Sequence, residues 1–237
     1  MIAFFKTTIY IPLYNFLIFL LNIDWLDAGL AAVVLTILVK FVLYPLSKKA
    51  SLTQIKMKEK DGELQAIKKK YKDRQEQALK VMEFYRGNKI NPFGSILTLL
   101  IQMPIIISLY YIFLRSGLPD VDASLLYSFV KAPESVSMVF LGFLDVSQKS
   151  ILLAGLAGIS SFWQMHLSAP SKFLPAGAPL NKENFPQMMA KQMKYTMPIV
   201  VFVISWQLSG IIALYWFISN LMSIIQDWWI KKRLKKT

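Results

Sequence analysis

The sequence contains no cysteine and only one histidine among its 237 residues. A disulfide framework, a thiolate metal site and thiol-based catalysis are therefore excluded. Charged residues are also scarce, at 17%, whereas hydrophobic residues make up 55% and the mean hydropathy is positive. This composition is typical of a membrane protein, and we expect one membrane domain.

Acidic residues are few relative to basic ones: 14 Asp and Glu face 27 Lys and Arg, which gives a net charge of +13. Such an excess of positive charge favours binding to nucleic acid, to ribosomal RNA or to the anionic cytoplasmic leaflet of a membrane. The basic residues concentrate in 47–92, in 167–195 and after Gln226, whereas 115–149 is nearly balanced. The positive-inside rule therefore predicts that the first three segments are cytoplasmic and that the fourth lies outside.

Three apolar runs are long enough to cross a bilayer. They are 28–46, 93–114 and 150–167. A fourth stretch, 195–226, is too long for one ordinary span and has basic segments on both sides. We therefore predict that it is a two-span hairpin that turns at 207–210, where Gly210 allows the chain to reverse. Because its first arm is short, we expect either that this helix begins earlier, near Gln187, or that the bilayer is thinner around it.

The N-terminal segment, 1–27, is harder to assign. Pro12 interrupts its apolar run, and Asp24 and Asp27 follow that run. We predict an interfacial amphipathic helix on the outer surface, with a sixth span as the alternative. A signal peptide is disfavoured, because one lysine gives a weak basic region and no small-residue cleavage pattern follows.

The predicted fold is thus an all-α, polytopic five-span bundle with its N-terminus outside and its C-terminus in the cytoplasm. Its segments are an outer interfacial helix (1–27), the first span (28–46), a cytoplasmic helical hairpin (47–92), the second span (93–114), an outer loop (115–149), the third span (150–167), a cytoplasmic loop (168–194), the two-span hairpin (195–226) and a basic tail (227–237). Strong helix formers dominate the cytoplasmic hairpin, and we predict antiparallel helices over 47–70 and 73–85. Its charged surface is either a solvated face or a docking surface for an apolar nascent segment or another protein.

Polar residues recur at helical spacing inside the predicted spans. Thr36, Lys40 and Tyr44 share one face of the first span. The other spans carry similar sets, namely Ser95, Thr98 and Gln102 in the second, Ser160 and Gln164 in the third, and Trp216, Asn220 and Ser223 in the last. The predicted topology brings nearly all of them to the cytoplasmic half of the membrane, where they either join helices by hydrogen bonds or line a shared recess.

Lys40 is the residue that most requires an explanation. An unpaired charge at the centre of a membrane helix costs roughly 2.5–3.5 kcal/mol, and the clear spans contain no acidic residue to pair with it. Its side chain is nearly long enough to extend to the membrane surface. A water-filled recess, open to the cytosol and closed to the outside, would satisfy Lys40 together with Gln102 and Gln164.

Three motifs resemble the YidC/Oxa/Alb family of membrane protein insertases. They are "LYPLSKKA" at the end of the first span, "INPFGSILTLLIQMPI" at the start of the second, and "MPIVV" followed by "SGIIALYWFISNLMSIIQ" in the terminal hairpin. The resemblance implies a five-span core, an outer N-terminal helix, a cytoplasmic hairpin and a hydrophilic groove open to cytosol and lipid. It also implies a bacterial inner-membrane location, and because only 1–27 precede the core we expect no large extracytoplasmic domain.

The resemblance also assigns residues to the groove. The family usually has arginine at the position that matches Lys40, so this chain keeps the charge but loses the planar guanidinium. Gln164 and Trp216 match other groove positions, and Gln102 matches a glutamine motif. The predicted substrate groove comprises Thr36, Lys40, Tyr44, Gln102, Gln164, Trp216 and Asn220. The implied partners are nascent membrane proteins, a ribosome, a Sec translocon and anionic lipids, with no DNA, cofactor, metal or enzymatic activity.

Two other function classes remain open from the residues alone. A small transporter or anion channel could use Lys40 to bind an anion, although the internal repeats with broken helices common in transporters are not evident. An intramembrane hydrolase would need His166 with Ser160 or Ser161, and the single histidine lies at the end of a span, where interfacial residues are common.

Overall fold

The structure, a computed structural model, describes residues 5–71, 73–90, 94–114, 118, 120–168 and 185–234. For 74, 94–102, 114, 168, 185–193 and 234 it describes the backbone alone. The helices are α1 (Ile11–Leu21), α2 (Ala28–Val42), α3 (Tyr44–Glu59), α4 (Asp61–Lys70), α5 (Arg74–Gly87), α6 (Gly94–Leu114), α7 (Ile151–Ser168), α8 (Phe185–Gln207) and α9 (Gly210–Leu234), and the strands are β1 (Val139–Phe140) and β2 (Leu144–Asp145).

The fold is predominantly helical, as predicted, but it is not purely helical. Strands β1 and β2 form an antiparallel ribbon in which Val139 lies opposite Asp145 and Phe140 opposite Leu144. Gly142, at the reversal between them, has a φ of +80°, which glycine adopts at little cost. The all-α prediction missed this ribbon because two-residue strands leave no period long enough to recognise in a sequence.

The N-terminal helix continues through Pro12, contrary to the predicted interruption. A π-helical turn over Lys6–Tyr10 leads directly into α1, and Pro12 occupies the first turn of α1. A proline inside a helix removes one backbone donor and crowds the preceding turn, and the change from π-helical to α-helical bonding occurs at this point of the helix. Six of the 11 residues of α1 are buried, among them Tyr14 and Leu17. The helix therefore packs against the protein core through one wide side, while Phe19 on the other side is 55% exposed.

The predicted first span is broken near its end. Helix α2 ends at Val42, and α3 begins at Tyr44 with its axis bent by 62°. Pro45 causes the break, because its ring clashes with a continuing helical turn and it has no N–H to donate. The predicted cytoplasmic helix over 47–70 is likewise two helices, α3 and α4, which meet at Lys60.

Helix α9 lies at the centre of the bundle and contacts α2, α3, α6, α7 and α8. Its residues Ile211–Tyr215 are all at most 3% exposed. Five consecutive residues cover every side of a helix, so α9 is enclosed on all sides at this level. Around it the core combines apolar side chains from α1, α2 and α6.

Few of the described helices meet a length and hydropathy criterion for crossing a membrane. One does so alone, the segment Gly210–Arg233, and the bent pair α2 and α3 would be a second if it is one span. Three shorter apolar helices are Lys6–Leu21, Met103–Phe113 and Ile151–Leu167. The five-span count therefore stays a prediction.

A loop segment, 121–148, covers the N-terminal ends of α2 and α9, and we call it the cap. The first N–H groups of any helix lack intrahelical acceptors. Here the cap provides them, since Ser137 O accepts from Ala28 N at 2.9 Å and Gln148 O accepts from Gly210 N at 2.7 Å. The cap is therefore fixed to two helices that are far apart in sequence.

The cap is also fixed to α1, through one buried side chain. The Asn15 amide donates to Leu125 O at 2.8 Å and its carbonyl accepts from Tyr127 N at 2.6 Å. Asn15 is only 2% exposed, so both ends of its amide are used where water does not reach. The cap closes this end of the bundle.

Close packing of α7 against α8 leads to a stability prediction. A Cβ at Gly158 would lie 3.0 Å from Phe202 Cβ, whereas a Cβ at Gly155 would meet nothing within 4 Å. We expect Gly158→Val to lower the free energy of unfolding by about 1–3 kcal/mol, because the added side chain forces the two helices apart. Gly155→Val, on the same helix, should change it by much less. Thermal unfolding of both variants in detergent micelles tests this, and equal effects would contradict it.

Candidate functional site

Lys40 is buried between α2 and α9. The residue is 9% exposed, and its Nζ donates to Ser223 Oγ at 3.0 Å. The backbone of Lys40 is bound as well, because Gln226 Nε2 donates to its carbonyl oxygen at 3.0 Å. Since α2 ends two residues later at the kink, that carbonyl lies in the last turn, where intrahelical donors are missing. Gln226 replaces the missing donor.

The ammonium of Lys40 is only partly satisfied. It has three N–H donors. Among the described residues Ser223 is its single hydrogen-bond acceptor, and the Asp227 carboxylate, one turn further along α9, attracts it electrostatically. Two donors are therefore left for water or for acceptor groups of a bound molecule. A buried cation with unused donors is a site prepared for an anionic or polar ligand.

Asp227 is a residue that the sequence reasoning missed. The predicted hairpin ended at 226, whereas α9 continues to Leu234 and carries Asp227 to the side of the kink. The Asp227 carboxylate also accepts a hydrogen bond from Ser51, a residue of α3 that is 8% exposed. Helix α9 therefore holds both halves of the broken helix, through Lys40 before the kink and through Ser51 after it.

Thr36 and Tyr44 do not join Lys40 in the way that their spacing predicted. Thr36 is 1% exposed, and its hydroxyl donates to Ala32 O of its own helix at 2.6 Å. Tyr44 lies beyond the kink, so the periodicity of a straight helix does not apply to it. Its ring packs against Trp229 instead, with ring centroids 6.1 Å apart. Trp229 lies on α9 one turn beyond Gln226, so Tyr44 faces the same helix as Lys40 although the kink separates the two residues.

Asn220 serves to join two helices. Its amide donates to Ser161 Oγ at 2.8 Å and to Ser160 Oγ at 3.0 Å, both on α7. It is 8% exposed, so these are buried bonds between α9 and α7. This is the interhelical role that polar residues in membrane bundles commonly have.

The remaining predicted groove residues are placed less tightly. Gln164, on α7 one turn beyond Ser160, is half-buried. Trp216 is also half-buried and packs against the core. The side chain of Gln102 lies outside the described residues. Lys40, Gln164 and Trp216 thus occupy three helices of one bundle, α2, α7 and α9, which are packed directly or through α9.

A hydrolytic site at His166 receives no support from the geometry. His166 is exposed, and its ring packs against Phe162 with a centroid separation of 5.7 Å. Ser160 donates to Ala157 O at 3.0 Å and also accepts from Asn220. Within the described part of the chain, no hydrogen bond joins His166 to either serine.

Comparison with known proteins places the chain among membrane proteins. The model of a family described as "60Kd inner membrane protein" matches residues 20–237. A Fusobacterium nucleatum protein described as "Membrane protein insertase YidC" is 33% identical over 229 residues, which are 95% of this chain and 98% of that protein. Proteins of the same description from Francisella tularensis subsp. novicida and Francisella philomiragia are 32% identical over 210 residues. Those residues are 88% of this chain but 33% of the Francisella proteins, so the chain spans a third of their length.

Proposed function

Because the chain belongs to the 60Kd inner membrane protein family, which is that of the YidC, Oxa and Alb insertases its motifs resemble, we propose that it inserts nascent membrane proteins into the bacterial inner membrane. The observation that carries the proposal is the Lys40 ammonium, buried at a helix kink with two donors unused among the described residues. Ser223 and the nearby Asp227 carboxylate hold this ammonium, but they leave two of its three N–H donors without an acceptor among the described residues. These unused donors and the positive charge would stabilise an anionic group of a bound client.

The proposed mechanism is electrostatic and needs no nucleotide. A short hydrophilic segment of the client enters a groove from the cytosol, and Lys40 attracts the carboxylates in that segment. Gln164, with Gln102 and Trp216, replaces the hydrogen bonds and contacts that the segment loses on leaving water. Because a hydrogen bond to a charged group contributes about 1.5–3 kcal/mol, Lys40 offsets much of the roughly 2.5–3.5 kcal/mol that one buried carboxylate costs.

The apolar part of the client supplies the driving force. Its helix leaves the groove sideways and enters lipid along exposed faces of α7 and α8, where large apolar side chains such as Ile159, Trp163 and Ile199 point outward. Burying this helix in hydrocarbon is favourable without any further energy source. Thr36 and Asn220 contribute to this groove as parts of its wall, since their polar groups are already bonded.

The proposed topology has five spans, the N-terminus outside and the C-terminus in the cytoplasm. The distribution of basic residues supports it, and so does the cap, which would close the outer end. Lys40 lies 12 residues along α2 from Ala28, which is about 18 Å of helix. In a hydrocarbon core of about 30 Å, a span that begins at Ala28 would have the Cα of Lys40 just past the midpoint on the cytoplasmic side. The groove is then open to the cytosol and closed to the outside.

The cytoplasmic hairpin, α3 to α5, is the proposed contact for a ribosome or a Sec translocon. Leu79 and Met82 of α5 are 65% and 48% exposed among basic residues. Flexible methionine and leucine side chains on a charged helix suit varied apolar partners.

Cysteine cross-linking to a stalled client tests the groove directly. Because the chain has no native cysteine, Gln164→Cys, Trp216→Cys and a control, Leu152→Cys, each introduce a single thiol. Leu152 is on the same helix as Gln164 but near the opposite end, and it is 60% exposed. A thiol in the hydrophilic segment of the client should form disulfides with positions 164 and 216 and not with 152. Cross-linking only at 152 would refute the groove, and ion flux through the purified protein in liposomes would favour the channel instead.

A further inference from the structure

Two tryptophans and two cations line a surface pocket at the C-terminal end of α9. The pocket is open, has a volume of about 390 Å³ and is lined by Trp228, Trp229, Lys232 and Arg233. Trp228 is 59% exposed and Trp229 41% exposed. Large exposed indoles beside cations are a feature that neither the core nor the groove explains.

Each cation lies over the indole one turn before it. Lys232 Nζ is 4.8 Å from the centroid of the Trp228 ring, and the guanidinium carbon of Arg233 is 3.7 Å from that of Trp229. Residues four apart on a helix are neighbours, and a cation over an aromatic face is held there by attraction. Each charge is therefore held at its own ring in spite of the length of its side chain, and both cations line the same pocket. This arrangement reduces the entropy that is lost when both bind one ligand.

The position along the helix identifies the surroundings of this pocket. The apolar segment Gly210–Arg233 has 24 residues, about 36 Å of helix, and the pocket occupies its last turn and a half. A bilayer has a hydrocarbon core of about 30 Å, so the end of this segment reaches the level of the head groups. Tryptophan is enriched at that level, because its ring is apolar and its N–H is polar.

We propose that Trp228, Trp229, Lys232 and Arg233 form a binding site for the phosphate head group of an anionic phospholipid. Arg233 is suited to bidentate hydrogen bonding with phosphate oxygens, and Lys232 adds a second positive charge. The indoles contact the glycerol backbone and the upper part of the acyl chains. The site requires only that the chain lies in a membrane and does not depend on the insertase function.

A lipid fits this pocket better than RNA does. Bases bind proteins by stacking on exposed aromatic faces. Here one face of each indole is already covered by a cation of the same helix. Tyr44 also packs against Trp229, at a centroid distance of 6.1 Å, and restricts that ring further. What remains accessible is the charged rim and the edges of the rings, which suit a phosphate diester that continues into apolar chains.

The test uses the full chain in nanodiscs that contain phosphatidylcholine and brominated phosphatidylglycerol. Bromine quenches the fluorescence of nearby tryptophan, and a Trp228→Phe and Trp229→Phe double variant identifies the share of quenching that belongs to the pocket. We expect phosphatidylglycerol to be preferred over phosphatidylcholine, and Lys232→Gln with Arg233→Gln to reduce that preference about 30-fold. Each basic residue near an anionic surface accounts for roughly a fivefold change in affinity.

The matched control is Lys235→Gln with Lys236→Gln, which removes the same charge from the same tail. It should keep most of the preference for phosphatidylglycerol. Equal losses in the two double variants would overturn the site, since the binding would then follow net charge alone. Displacement of the lipid by millimolar inorganic phosphate, or by RNA, would also overturn it, because the pocket would then recognise a free anion or a nucleic acid.

Discussion

Replacing Lys40 by glutamine should reduce the insertion of a client with acidic residues in its translocated segment by about tenfold or more. The substitution keeps a polar side chain of similar length but removes the charge and one donor. The client loses a charge-assisted hydrogen bond of about 1.5–3 kcal/mol, and 1.4 kcal/mol corresponds to a tenfold change. Insertion is measured as the yield of protease-protected client in vesicles that contain only the purified protein.

Three controls make this result specific to charge. Lys40→Arg should retain insertion, because arginine also offers donors and a permanent charge. A client whose acidic residues are replaced by their amides should insert equally well with the unchanged protein and with the Lys40→Gln variant. Lys194 is another buried lysine, 7% exposed on α8, and Lys194→Gln should not discriminate between the two clients. If Lys40→Gln lowered both clients equally, the lysine would be structural; if it lowered neither, it would have no part in insertion.

Lys40 could be identified from the sequence as a candidate functional residue because the cost of burying its charge depends on its apolar neighbours in the chain. A lysine among apolar residues needs a partner or water wherever the chain places it, so its importance is readable without a structure. The family motifs are local in the same sense, since each occupies a short stretch at the end of a predicted span. The comparison with known proteins confirmed the family that these motifs indicated.

Helical periodicity was less reliable, since it assumes a straight helix. Tyr44 is eight residues after Thr36 but lies beyond the end of α2 at the Pro45 kink, so the period of one straight helix does not give its position relative to Thr36. Pro45 was visible in the sequence, but it was not interpreted as a helix end because the apolar residues continue to Leu46.

Asn220 shows a related limit of helical periodicity. Its spacing placed it on a polar face, but only the structure shows that Ser160 and Ser161 already use its donors.

Contacts between distant segments were not predictable. Ser51 and Asp227 are joined by a hydrogen bond across 176 residues, and neither belongs to a motif that was linked to Lys40. The cap is a similar case, because it binds mainly through backbone groups, and every residue has these. Residue types differ only in their side chains, so hydrogen bonds made by main-chain carbonyls at helix ends are hard to predict from a sequence.

Replacing Asp27 by alanine should release the cap. Asp27 is 8% exposed and uses both carboxylate oxygens: Oδ1 accepts from Leu30 N at 2.8 Å, and Oδ2 accepts from Leu141 N at 3.1 Å. Loss of the first bond removes the N-cap of α2, at about 0.5–2 kcal/mol. Loss of the second leaves a partly buried N–H without its acceptor, at about 1–3 kcal/mol. Of these two bonds only the second joins the cap to α2, so its loss should raise the population of the open cap by about fivefold or more.

A single cysteine in the cap measures this opening. Val146 is fully buried in the cap, so Val146→Cys in a chain without other cysteines reports opening as the rate of modification by a membrane-impermeant maleimide. Asp24→Ala is the matched control, because Asp24 is exposed three residues earlier and its carboxylate has no hydrogen bond among the described residues. Asp27→Asn should lie between the two, since an amide keeps one acceptor oxygen. Equal labelling rates for the two alanine variants would mean that Asp27 does not hold the cap. A faster rate for Asp27→Ala, accompanied by ion leakage from vesicles, would mean that the cap is what separates the recess at Lys40 from the far side of the membrane.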